Sequence, residues 1–185
     1  MNYNWHQVTQ IRSQKYTCGY CGSVVSPNIG YSTRGGNNDA LIFICPNCSC
    51  PTFFGQGHDQ TPSVRLGREV KGIDNEAVLE AYNEARDCSS VGAYTGCVLL
   101  CRKLLMNLAV HHGAAEGLPF VKYIDHLEEQ GYIPPNGKVW VDEIRKKGNL
   151  ATHDLPTISQ EDASQILNFV EMLLRFSYEF PSLIQ

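Results

Sequence analysis

Two Cys-x-x-Cys pairs sit among short β-like runs, and beyond Asp74 the apolar residues change to three- and four-residue steps. These two observations predict the fold class: a small β ribbon built around metal-binding cysteines, followed by an all-α helical bundle of about five helices. A chain of 185 residues, 43% of them hydrophobic, has room for one main core and a small appendage. The longest apolar runs, Leu41 to Cys45 and Cys97 to Cys101, are far short of the roughly 18 residues that cross a bilayer. The N-terminus lacks the basic-then-apolar order of a signal peptide, so a cytoplasmic protein without membrane contact is expected.

The ribbon is expected over residues 1–56. "RSQKYTCGYCGSVV" and "LIFICPNCSCPTFF" read as strands and knuckles on either side of the Gly/Asn-rich turn "RGGNNDA". Cys18, Cys21, Cys45 and Cys48 form the two pairs, with 23 residues between them. Two such pairs converge on one tetrahedral Zn²⁺ and close its coordination sphere, which gives the ion a structural role. It replaces a core that so few residues cannot build. Cys50 is a competing thiol two residues beyond Cys48, and the C-x-x-C step favours Cys48. Residues 57–72, with a proline and several glycines, read as a linker or a strap lying over a neighbour.

The bundle is expected over residues 73–185. The first helix covers 74–88 with Asp74 as its N-cap. The second, over 91–111, carries a stripe of Ala93, Cys97, Leu100, Cys101, Leu104 and Leu108 and is predicted to be the central one. Cys88, Cys97 and Cys101 read as small buried hydrophobes, and His58, His111 and His112 as solvated or capping residues. A helix from Pro119 to Glu129 ends at Gly131, and a fourth covers 137–152. The last starts at Ser159, where Asp162 makes an acidic capping box.

Charge is divided unevenly. Residues 1–72 hold six Lys/Arg against three Asp/Glu, and residues 73–185 hold nine against sixteen. The front of the chain is therefore the side suited to phosphate. In the acidic half, Arg145, Lys146 and Lys147 are the densest basic stretch. Arg145, Asn149 and His153 follow one another at four-residue steps, which on a helix places them along one side. A histidine and an arginine so placed could move a proton and stabilise developing charge on phosphorus, or simply cap helix ends. Arg102, charged on the most apolar helix, is expected to meet a carboxylate such as Glu80 or Glu84, or to line a site with His153.

The segments "LEEQGYI", "IRKKGNLATH" and "EDASQILNFVEMLLRFSYEF", with Ala93-Tyr94 and Cys101-Arg102, resemble domain-of-unknown-function family 4145. Its Arg-x-x-Gly-Asn-x-x-x-His motif is matched by Arg145, Gly148, Asn149 and His153. The resemblance implies a helical domain like those of the higher eukaryotes and prokaryotes nucleotide-binding (HEPN) superfamily. Many of those are dimeric, metal-independent endoribonucleases with four to six residues between an arginine and a histidine. Here seven residues lie between Arg145 and His153. Three functions follow as expectations. The first is a zinc-binding module with a HEPN-like domain that binds nucleic acid or a partner protein, as a homodimer and without catalysis, in a defence or nucleic-acid-processing system. Lys146, Lys147 and Arg102 would then contribute to binding. The second is an endoribonuclease using Arg145, Asn149 and His153. The third is a protein–protein adaptor.

Overall fold

A computed structural model describes residues 3–33, 40–134, 146 and 158–184. The chain divides into two compact units, Met1–Arg65 and Leu66–Gln185. In the first unit, strands β1 (Thr9–Gln10), β4 (Ile29–Ser32), β5 (Leu41–Ile44), β6 (Pro51–Phe54) and β7 (Gln60–Thr61) form an antiparallel sheet in that spatial order. A separate hairpin pairs β2 (Tyr16–Thr17) with β3 (Val24–Val25). The period-2 alternation of strands sets the faces. Phe43, Thr52 and Phe54 are buried on one face, while Phe53 points to the other. Tyr16, Phe43 and Phe54 meet in edge-on and tilted pairs with centroids 5.1–5.9 Å apart. With Val25 they surround Cys18 and Cys45.

Residues 60–63, within the stretch read as linker or strap, lie over the first knuckle. Gln60 Nε2 donates to the Thr17 carbonyl at 2.8 Å and to the Pro62 carbonyl at 3.0 Å. A Cβ on Gly19 would collide with the Pro62 and Ser63 carbonyls, which accounts for glycine in "CGYC". Residues 66–70 run along the helical unit instead. The Leu66 amide donates to Ser89 Oγ, the Arg68 amide to Glu171, and the Tyr82 hydroxyl to the Arg68 carbonyl. Val70 is buried there.

The described residues of the second unit contain four helices, not about five: α1 (Glu76–Ser90), α2 (Tyr94–His111), α3 (Phe120–Glu129) and α4 (Gln160–Leu174). The helix expected over 137–152 falls almost wholly outside the described residues. The cap of α1 is Asn75 rather than Asp74. Its Oδ1 accepts from the amides of Ala77 and Val78, and either residue type suits the position. The predicted capping box of α4 is present: Ser159 Oγ accepts from the Asp162 amide at 3.1 Å, and the Ser159 amide donates to Asp162 at 3.2 Å. Gly131 closes α3 at φ 78°, with the Tyr132 amide donating to the Leu127 carbonyl.

The central helix is α2. It lies against α1, α3 and α4, and its Cys97, Val98, Cys101, Leu104, Leu105, Leu108 and Ala109 are buried. His112 caps it, stacked on Tyr132 at 3.8 Å and hydrogen-bonded to Ser177 at 2.8 Å. After Leu174 the backbone continues as a π-helical segment, Arg175–Glu179, and a final turn, Phe180–Ser182. No helix among the described residues is long and apolar enough to cross a membrane.

Candidate metal centre

Each cysteine pair sits on a knuckle made by local hydrogen bonds, and the two knuckles repeat one another. In the first, the Cys18 amide donates to the Ser23 carbonyl and the Gly22 amide to the Cys18 carbonyl, both at 2.9 Å. In the second, the Cys45 amide donates to the Cys50 carbonyl at 3.0 Å and the Ser49 amide to the Cys45 carbonyl at 2.9 Å. Gly22 and Ser49 both take positive φ, 69° and 60°. Cys50 thus holds the place of Ser23, where the backbone carbonyl closes the turn. The competition between Cys48 and Cys50 is decided by that register.

The structure brings Cys18, Cys21, Cys45 and Cys48 together, with the four sulfurs all within 4.8 Å of one another. Cys18 lies 3.8 Å from Cys48, and Cys21 lies 3.8 Å from Cys45. All four are free thiols, two buried and two half-buried. A tetrahedron of sulfurs 2.3 Å from a central ion has edges of about 3.8 Å, so the donor set fits a tetrathiolate-bound cation.

Neighbouring groups bias the thiols. Burial pushes Cys21 up, but hydrogen bonds from Asn47 and Ser23 outweigh it and bring the thiol down to about 6. Asn47 Nδ2 reaches Cys21 Sγ at 3.5 Å and Ser23 Oγ at 2.9 Å, tying the second knuckle to the first. Burial holds Cys18 and Cys48 above the usual thiol range. Four thiolates so close need a cation to ionise together, which is what a bound metal supplies. Asn47 carried no signal in the C-x-x-C reading. Aligning "CGYCGS" with "CPNCSC" exposes the repeat and places Asn47 in the loop facing the first pair.

The other predicted residues are spread differently. Arg145, Lys147, Asn149 and His153 lie outside the described residues, and Lys146 is exposed. Arg102 is half-buried on α2, with its guanidinium 4.1 Å from the centroid of the Phe120 ring on α3.

A cysteine-knuckle ribbon joined to a helical unit is the class that fold and site define. Residues 83–184, more than half of the chain, match the family described as Domain of unknown function (DUF4145), and the chain belongs to that family. The match starts inside α1 and leaves the ribbon in front of it. No curated protein and no solved structure matches the chain.

Proposed function

We propose that Cys18, Cys21, Cys45 and Cys48 hold one Zn²⁺ as a structural ion, and that the ribbon it stabilises, joined to a HEPN-like helical unit, binds nucleic acid in the cytoplasm without catalysis. The sulfur geometry carries the reading: two edges of 3.8 Å, with all four sulfurs within 4.8 Å, match a zinc tetrathiolate, and four protein ligands leave no position for an activated water. The ribbon's charge supports the partner. Its described residues include Arg12, Lys15 and Arg65 against Asp59 alone. Elemental analysis of the purified protein tests the metal. One zinc per chain, lost in Cys48→Ser, supports the reading; iron at the same stoichiometry replaces zinc in it, and less than half a metal per chain overturns it. As a HEPN-like domain the protein acts as a homodimer, which light scattering at micromolar concentration checks.

The four-residue steps of Arg145, Asn149 and His153 favour a second reading, a metal-independent endoribonuclease. RNA cleavage by the wild type that His153→Ala abolishes, at an unchanged melting temperature, replaces the non-catalytic reading with this one. Absence of nucleic-acid binding at any salt concentration leaves the adaptor.

A further inference from the structure

The two faces of the five-stranded sheet are both apolar, which a sheet with one solvated face does not need. On the face away from the cysteines, Ile44 of β5 stands opposite Pro51 of β6, and Ile29 of β4 lies one position beyond the Gly30–Phe43 pair. The next row across the same strands is Tyr31, Ile42 and Phe53. Ile29 is 47% exposed and Phe53 44%, the other four are half-buried, and none of the six belongs to either apolar core.

Tyr31 is held by its neighbours. Trp5 lies edge-on to Tyr31 with centroids 6.3 Å apart, its indole N–H donates to the Ser49 carbonyl at 2.7 Å, and Tyr3 stands 6.2 Å beyond. The Tyr31 hydroxyl donates to the His6 carbonyl. Phe53 lies two strands from Tyr31, about 10 Å away at the usual strand spacing, with Ile42 between. Gln10 of β1 pairs with Ile29, and the Ile11 amide bonds the Asn28 carbonyl beyond it, so strand alternation brings Arg12 to the same face. The one carboxylate among the ribbon's described residues, Asp59, is in the turn between β6 and β7.

Aromatic rings on one sheet face, with a cation at its edge, are the chemistry that takes splayed bases and their phosphates. We propose that this outer sheet face is a stacking platform for single-stranded nucleic acid, with bases on Tyr31 and Phe53 and the backbone toward Arg12. The proposal rests on the nucleic-acid reading above and narrows it to one surface.

The test uses the metal-loaded full chain and two fluorescein-labelled 15-mers, oligo-dT and oligo-U, read by anisotropy at several salt concentrations. Phe53→Leu keeps an apolar side chain but removes the ring, and is expected to weaken binding about tenfold, whereas Phe53→Tyr stays within about twofold. Arg12→Gln is expected to lower the salt slope by about one. Metal content equal to wild type confirms that each variant is folded. The stronger ligand of the two 15-mers tells DNA from RNA. Wild-type binding that Phe53→Leu leaves intact overturns the platform and spares the nucleic-acid reading. Failure of the wild type to bind either oligonucleotide overturns both. Phe53→Leu and Phe53→Tyr that bind alike, with a dimer that dissociates on Phe53→Lys, assign the face to a second copy and also overturn the proposal.

Discussion

Among the described residues, the ribbon buries six apolar or thiol side chains, two of them metal-site cysteines, whereas the helical unit buries twenty-six in one cluster. The two units therefore answer the same physical demand differently. Conformational entropy must be offset in both, by apolar burial in the helices and, on the proposed function, by a metal ion held by the four thiols in the ribbon. The ribbon's three-ring cluster of Tyr16, Phe43 and Phe54 is too small to do this alone, as is usual for units of this size.

The sharpest break in that comparison is metal removal. Structural zinc contributes about 10–16 kcal/mol in small domains, so a strong chelator is expected to unfold the ribbon and leave the helices. Hydrogen exchange reads this out: the amides of β4 to β6 lose protection while those of α2 and α4 keep theirs. Retained protection in the strands would show that the ring cluster is sufficient without the ion. The reciprocal change is Leu167→Ala in the fully buried face of α4, expected to cost about 2–5 kcal/mol in a denaturant melt of the helical signal, with metal content unchanged.

Asn47→Ala acts between the knuckles without removing a ligand. Losing the donor to Cys21 is expected to weaken metal affinity about 10–100-fold in competition with a chromophoric chelator, and an unchanged affinity would make the contact incidental. The smallest effects compare the two knuckles directly. Gly22→Ala forces a side chain into positive φ where nothing else crowds it, so its expected cost, about 1 kcal/mol, is backbone strain alone. Ser49→Gly is expected to relieve the equivalent strain, with a gain under about 1 kcal/mol because glycine also loosens the unfolded chain. Thermal melts with metal bound would measure both, and equal shifts of one sign would break the equivalence of the knuckles.

Much of this was legible in the sequence where the cause is local. The C-x-x-C spacing, the Cys97, Cys101, Leu104 and Leu108 part of the predicted α2 stripe and the Ser159–Asp162 capping box each depend on residues a few positions apart, whereas Ala93 of that stripe is exposed at the helix start and Leu100 half-buried. What the sequence hid depends on distant partners. Gln60 hydrogen-bonds to Thr17, and Gly19 faces the Pro62 and Ser63 carbonyls; neither relation is written in the neighbourhood of either residue. The second apolar face of the sheet was hidden for another reason. "LIFI" reads equally well as a run buried on both sides, and only the register shows which side chains share the outer face.

The repeated hydrogen bonding of the knuckles also bears on the order of assembly. Every bond that shapes a knuckle spans four or five residues, so each cysteine pair can form as a bidentate claw before the sheet exists. An ion captured by either claw then has to find only the other, across one loop whose closure entropy grows slowly with length. Metal capture by this chain should proceed in two kinetic phases: a concentration-dependent first step and a unimolecular second that is set by the 23 residues between Cys21 and Cys45.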